Sequence, residues 1–579
     1  MRIVSKLAVS PSDFFPSVAF LLVVLGLAAC APPAVEVEPA DLVLRGGKIV
    51  TVDEANPEVE ALAARDGVII ALGTSAEIEA YVGEGTEVVD LAGQLAVPGF
   101  IEGHGHFMSL GDARIQLDLR QATTWQDIVD QVAAAAAAAA PGEWIRGRGW
   151  HQDKWQAAPE PNVEGFPVHA GLSAVSPDNP VLLTHASGHA AFANAKAMEL
   201  AGVDASTPDP PGGEILKDAD GQPMGLFRET AEELLHAARS RDSQASDSES
   251  RKKAKLASDE CLAKGVTSFQ DAGSSFAEVE FLRGYAEEGE LGVRLWMMIR
   301  ASNEELAEKM AAAKTRAVGD SHFAVGGIKL SIDGALGSRG AWLLEPYTDS
   351  PESTGLNLVP VDVARETADL AIEHGVQLCI HAIGDRANRE VLDLYEEVFA
   401  AYPDKTGLRW RVEHAQHLHL EDIPRFVDLG VIASMQTVHC TSDGPWVPDR
   451  LGDQRTEEGA YVWQKLMGSG AVVMNGTDVP VEDIDPLANF HSAVTRQMPD
   501  GSIFYGEQRM TRMEALEATT LSAAYGAFEE ELKGSLEVGK LADITVLSKD
   551  ILTVPEDEIR TTDVVYTIVG GQIAYRADG

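Results

Sequence analysis

Val97-Pro98-Gly99-Phe100-Ile101-Glu102-Gly103-His104-Gly105-His106 places two imidazoles two positions apart, at the end of an apolar run that follows a Pro-Gly turn. On an extended segment residues i and i+2 face the same way, so both rings can bind one metal. Further along, runs of the same apolar kind end at His381, His414 and Asp478, and another ends at Lys329. In all, eight such runs end near His104, Asp271, Ile299, Asp333, His381, His414, Thr437 and Asp478. They alternate with helical stretches, which is the mark of parallel βα units. Eight strands suffice to close a barrel, and ligand types at their carboxyl ends are what a (β/α)8 barrel hydrolase needs to hold two divalent metals. The expected fold is therefore α/β, a (β/α)8 TIM barrel over residues 99–533.

The flanks read differently. Short apolar or alternating runs over residues 41–98 and 534–579, such as Lys48-Ile49-Val50-Thr51-Val52 and Asp563-Val564-Val565-Tyr566-Thr567-Ile568-Val569, are strands punctuated by Gly, Asp and Asn. Neither piece is long enough to close a sandwich alone, so one small β-sandwich domain made from both chain ends is expected. After the first barrel strand the chain runs about 150 residues before Gly265-Val266-Thr267-Ser268-Phe269 resumes the pattern. This insertion, residues 110–260, contains a near-pure alanine helix from Trp125 to Ala140 with no selective apolar face, stopped by Pro141-Gly142. Trp144, Trp150, Trp155, Phe166, Phe192 and Phe227 follow, and Ser240 to Ser250 reads as an exposed loop. Insertions at the carboxyl end of barrel strands sit over the active site, so a lid and substrate wall is expected here.

Charge and targeting narrow the setting. The 579-residue chain has 46 basic and 90 acidic residues, a formal charge of −44, which works against nucleic acid or anionic lipid as partners. Met1 to Cys30 reads as an export signal, with Arg2 and Lys6 first, then an apolar core from Val18 to Leu27. Leu27-Ala28-Ala29-Cys30 resembles a bacterial lipobox, which implies lipidation at Cys30 and a tether over residues 31–40. The expected location is that of an exported bacterial lipoprotein, membrane-anchored on the periplasmic or extracellular side. The other cysteines, Cys261, Cys379 and Cys440, lack CxxC spacing and are expected as buried small apolar residues.

Five passages carry a resemblance. They are Thr184-His185-Ala186-Ser187-Gly188-His189; Gly327-Ile328-Lys329 through Asp333-Gly334-Ala335-Leu336-Gly337-Ser338-Arg339; His381-Ala382-Ile383-Gly384-Asp385-Arg386-Ala387; Val412-Glu413-His414-Ala415-Gln416; and Gly476-Thr477-Asp478-Val479-Pro480-Val481. With the first-strand motif they resemble the amidohydrolase superfamily, and within it amidohydrolase family 3, the N-substituted formamide deformylase-like branch. The likeness covers Asp41 to Tyr575. One departure is Glu102, where the superfamily usually has Asp two places before the first ligand.

What the resemblance implies is a ligand set. His104 and His106 would hold the more buried metal, His381 and His414 the more exposed one, and Asp478 would bind the buried metal and handle protons. Lys329 would bridge both; an ammonium has no lone pair, so it must first react with CO2 to form a carbamate. Zinc is the expected metal. His185 and His189, four apart as on a helix, are expected in the substrate pocket, along with Trp150, His151, His439 and Arg339. Asp385 is expected to brace His381, and His236, His322 and His374 to lie on the surface. The implied reaction is hydrolysis of a non-peptide C–N bond of a small amide-type substrate. Rival expectations are ester or lactone hydrolysis at the same site, a mononuclear deaminase, and a non-catalytic binding lipoprotein. A homodimer stays open.

Overall fold

A computed structural model describes residues 37–242, 247–318 and 321–577. Pro39–Gly579 is one compact unit; the signal segment, Cys30 and residues 31–36 of the tether lie outside the described residues.

The barrel strands, β1 to β8 in chain order, are Phe100–Gly105, Val266–Ser274, Arg294–Ile299, Phe323–Ser331, Gln377–Ala382, Arg411–His414, Ile432–Met435 and Val473–Asn475. Each pairs in parallel with the next, in order from β1 to β8. β2, β3, β5, β6 and β7 are almost wholly buried, because helices cover the outer face while inward side chains fill the barrel. The seam between β8 and β1 is closed by side chain and loop. The Glu102 carboxylate accepts from the Thr477 N–H at 2.7 Å, the Thr477 hydroxyl at 2.8 Å and the His104 N–H at 3.2 Å. Asp478 N–H donates to the His104 carbonyl at 2.7 Å, and His106 N–H to that of Val479 at 2.8 Å. A Cβ at Gly103 would lie 2.5 Å from the Asn475 carbonyl oxygen, so this approach admits only glycine. The longer carboxylate at position 102 thus ties the first ligand strand to the loop carrying Asp478.

The two chain ends share one sheet. Strands from residues 42–98 and 544–576 follow the order 572–576, 564–569, 544–547, 95–98, 42–50, 58–65, 68–73, with 87–90 also on strand Leu42–Val50. All are hydrogen-bonded into one continuous sheet drawn from both chain ends. The reason lies in Leu42–Val50, whose register breaks between Arg45 and Ile49. Its first half pairs with residues 87–90 and its second half with 95–96, so one strand joins what would otherwise be separate layers. Arg294 of β3 and Asp543, both buried, make a two-pronged ion pair at 2.7 and 3.0 Å that fastens this sheet to the barrel.

The insertion builds a six-stranded sheet of its own across residues 117–229. Trp150, Trp155, Phe166 and Phe192 fill one core beside it, and Phe227 with Leu182 and Met198 a second. The alanine-rich helix runs Trp125–Ala138, opened by a Thr124/Asp127 capping box, and does present a face: Ile128, Val129 and Val132 are buried. Ser240 to Ser250 is not a loop throughout. Helices Glu232–Asp242 and Asp247–Ala263 take up all but residues 243–246, which lie outside the described residues. Asp247–Arg251 and Glu249–Lys253 ion pairs at i,i+4 support the second helix, which buries Ala254, Ala257, Cys261 and Leu262. Among the described residues no helix is long and apolar enough to cross a membrane. Cys261, Cys379 and Cys440 are buried free thiols.

Candidate metal centre

The ligand types converge just beyond the strand ends. His104 sits on β1 and His106 follows it; Lys329 is on β4, His381 on β5, His414 ends β6, and Asp478 lies three residues past β8. One donor atom from each of His104, His414 and Asp478 lies within 4.8 Å of the other two. Asp478 Oδ1 is 3.1 Å from His106 Nε2 and 3.7 Å from His104 Nε2. Lys329 Nζ is 3.3 Å from His104 Nε2. The His381 and His414 rings are 4.4 Å apart, and those of His104 and His414 4.7 Å. The tightest triad thus draws His414 together with His104 and Asp478, across the two metal positions that the family resemblance separates.

Backbone geometry makes this possible. Adjacent strand residues face opposite ways, yet both Glu413 and His414 reach the barrel interior. His414 at φ 76° and Ala415 at φ 42° are in the left-handed region, as is Asp478 at φ 57°. Such conformations cost non-glycine residues about 1–3 kcal/mol each and concentrate at functional sites.

Partners fix the rings. His104 Nδ1 faces Glu413 Oε2 at 2.5 Å, and His414 Nδ1 faces the Gln436 side-chain oxygen at 2.7 Å, so both direct Nε2 into the site. Burial, reinforced by Lys329, brings His104 down to about 4. Burial also holds His381 and His414 well below the usual imidazole range, leaving neutral rings with a lone pair for a metal. Burial would raise Glu413 and Asp478, but His104 and Arg411 hold Glu413 low, and His106 and His104 hold Asp478 low, so both stay ionised. Burial brings Lys329 down to about 8, so roughly a tenth of its amine is uncharged near neutrality and able to add CO2, far more than for an ordinary lysine. His381 Nε2 and Asp478 Oδ1 are buried with no hydrogen-bond partner among the described residues. Polar atoms so placed are costly unless something binds them, and neutral imidazoles with a carboxylate suit a divalent ion.

Two cavities, of about 430 and 360 Å3, meet at His189, His381, His414 and Asp478. The larger has an apolar wall that includes Leu336, Ile383, Pro445 and Trp446. Three rings run along it: His185 is 4.6 Å from His151, and His151 6.0 Å from Trp446. The smaller is more polar and includes His104, His106 and Lys329.

Other expected residues divide. His185, His189 and His439 line the larger cavity, but His185 and His189 flank the turn between strands Val181–His185 and Ala190–Ala193, not a helix. His185 bonds Ser187 and Gln152, and His189 bonds Glu229 at 2.7 Å. Trp150 does not line it; the ring is buried in the insertion core, its Nε1 donates to the Leu183 carbonyl, and it packs edge-on behind His185 at 4.7 Å. Arg339 turns away to pair with Asp349 at 2.9 Å on a separate cavity. Asp385 does not brace His381: it is the first residue of helix Asp385–Ala401 and accepts from the Leu344 N–H at 2.9 Å. Asp333 is the carboxylate beside His381, 3.5 Å from Nε2, fixed by N–H donors of Trp342, Ile383 and Gly384 and pushed by burial up to about 7. His236, expected on the surface, lines the smaller cavity. Glu413, Gln436 and Asp333 carry no signal of their own in sequence beyond adjacency to a ligand strand.

The profile described as "Amidohydrolase family" matches residues 87–575. Protein LONG AFTER FAR-RED 3 of Arabidopsis thaliana is 34% identical over 560 residues, 95% of this chain and 94% of that protein. The N-substituted formamide deformylase of Arthrobacter pascens is 27% identical over 547 residues, 93% of this chain and 99% of that enzyme. An uncharacterized metal-dependent hydrolase from Pyrococcus horikoshii has a TM-score of 0.71 at 27% identity, covering 89% of this chain and 99% of that one. A barrel rim bearing this ligand set, under a family profile that spans most of the sequence, makes the chain a member of the amidohydrolase family, in its family 3 branch, and a metal-dependent hydrolase.

Proposed function

We propose that the protein hydrolyses a non-peptide C–N bond of an amide-type substrate. The observation that carries this is the convergence of His104, His414 and Asp478 donor atoms, with Lys329 Nζ against His104. His104, His106 and Asp478 would hold one divalent ion and His381 and His414 a second, with Lys329 as a carbamate between them; zinc fits the imidazole-rich set. Bound there, such ions supply Lewis acidity and lower the pKa of a water towards neutrality. Asp478, whose Oδ1 faces His104 and His106, keeps its second oxygen to take a proton from the attacking water. It then returns that proton to the leaving nitrogen, which otherwise departs as a poor amide anion. His189, with Nδ1 held by Glu229, and His439, whose Nε2 has no partner among the described residues, face the cavity and orient the carbonyl. The N-substituted formamide deformylase supports an amide over an ester.

Metal analysis together with a panel of N-acyl amines against aryl esters tests this. About two metals per chain and faster amide cleavage support it; ester preference refutes it. A one-metal, deaminase-like site is the second reading, favoured by the single tight triad of donors, and a stoichiometry of about one would establish it. We propose also that Cys30 anchors the protein as an exported lipoprotein; Cys30→Ser should then move it from the membrane to the soluble fraction, and unchanged partition refutes the anchor.

A further inference from the structure

The insertion meets the barrel rim beside the metal centre through one buried carboxylate. Glu229 ends the insertion strand Pro223–Glu229, and its side chain is only 2% exposed. Its Oε2 accepts from His189 Nδ1 at 2.7 Å and its own N–H donates to the His189 carbonyl at 3.0 Å, so the two residues are joined through both backbone and side chain. His189 lines both cavities with its ring 5.1 Å from that of His381, and among the described residues nothing bonds its Nε2. That nitrogen is the one left for a substrate.

The other oxygen of Glu229 is held by shape alone. Oε1 lies against the turn that follows β4, where a Cβ at Gly334 would come within 2.1 Å of it and one at Gly340 within 2.3 Å. The Gly334 N–H donates to the Gly340 carbonyl at 3.2 Å, which closes the turn beside the carboxylate. Neither glycine has a left-handed φ, so the backbone does not call for glycine at either position; the carboxylate does. Oε1 is buried with no hydrogen-bond partner among the described residues, and Glu229 itself has a φ of 52°. A buried acceptor without a donor and a left-handed non-glycine backbone are both costly, and the two together on one residue point to a role beyond packing.

We propose that Glu229 is a positioning residue, seated between Gly334 and Gly340, that aims His189 Nε2 at the substrate carbonyl, so that docking of the insertion on the β4 turn and completion of the site are one event. The aim at a carbonyl rests on the amide-hydrolase reading; the seat and the grip on His189 do not. His189 belongs to the insertion and the seat to the barrel, so Glu229 fixes a placement that neither part sets alone.

The test is a set of variants of the metal-loaded full chain, assayed on the best-cleaved member of the amide and ester panel, with ring-nitrogen NMR spectra of the same histidine-labelled proteins. Glu229→Met removes the acceptor, and Gly340→Ala fills the seat without touching charge. Each should lower kcat by about 10- to 100-fold, with KM and metal content nearly unchanged. Glu229→Gln, which keeps an oxygen for Nδ1, should lose clearly less than Glu229→Met. Added to His189→Asn, Glu229→Met should cost nothing more, because a residue that acts through His189 then has nothing left to position. In the spectra, the ring signal that vanishes in His189→Asn should shift in Gly340→Ala as it does in Glu229→Met. Equal losses in Glu229→Met and Glu229→Gln, additive losses with His189→Asn, or a His189 signal indifferent to Gly340→Ala each overturn the proposal. The spectra decide it even where turnover of a variant is too low to measure. Ester preference with non-additive losses refutes the amidase reading and leaves Glu229 in its role, and amide preference with additive losses does the reverse.

Discussion

The barrel rim and the insertion each present histidines to the same cavity, yet their bonding differs. In the insertion His185 uses both ring nitrogens on Ser187 and Gln152, and His189 is held by Glu229. On the rim His414 is tied at Nδ1 only, His104 is held at Nδ1 by Glu413 with Lys329 Nζ 3.3 Å from its Nε2, and His381 Nε2 has no partner among the described residues. The lesson is that the rim histidines are distinguished by convergence, with the donor atoms of His104 and His414 meeting Asp478 at one point, while His185 spends both nitrogens on its neighbours.

Asp478→Asn should test the difference most sharply. It keeps the shape but loses the proton acceptor, so turnover should fall by about 10²–10⁴-fold with metal content by elemental analysis nearly unchanged. Full activity would remove Asp478 from the chemistry. His185→Asn, in contrast, should leave metal content intact and act on KM.

Arg294→Met probes the frame. Breaking a buried ion pair leaves the Asp543 carboxylate without its guanidinium, held only by the Gly570 N–H at 2.8 Å, and should cost about 3–5 kcal/mol in denaturant unfolding. The pair also sets a pH dependence. Burial would raise the Asp543 carboxyl, but Arg294 more than offsets this and lowers it. A depressed folded-state pKa means the contribution is present above the unfolded carboxylate value of about 3.9 and is lost as pH falls through the folded value. The variant should therefore lose less stability than the parent on acidification over that window; parallel curves would exclude the pair.

Glu413→Gln should be smaller again. The amide can still accept from His104 Nδ1 but lacks the charge, and metal affinity in competition with a chelator should fall about 10–100-fold. Unchanged affinity would make Glu413 a packing residue. Smallest of all, Thr124→Ala removes the cap of helix Trp125–Ala138 and should cost about 1 kcal/mol, with metal binding untouched because this helix belongs to the insertion core.

Much of this was legible in the chain because barrel order equals chain order. Each ligand sits at the end of its own strand, so His104, His381, His414 and Asp478 announce themselves locally by an apolar run followed by a donor. The strand ends read from sequence at Asp333, Thr437 and Asp478 lie two to three residues beyond the hydrogen-bonded ends at Ser331, Met435 and Asn475, since apolar character continues into the loops that carry the site. Asp385 and Arg339 misled because adjacency to a ligand says nothing about where a side chain turns once the strand has ended. Trp150 misled because composition does not separate a pocket wall from the core behind it.

Sequence by itself determined the fold class, the order of the ligands and the chemical types they offer, because those depend on local periodicity and on one residue at each strand end. Tertiary structure alone decided that Glu413 grips His104 across 309 residues, that Asp333 rather than Asp385 stands beside His381, and that Trp150 lies in the core behind His185. These are contacts between distant segments, fixed by closure of the barrel and docking of the insertion, and no period of two or of 3.6 residues encodes them.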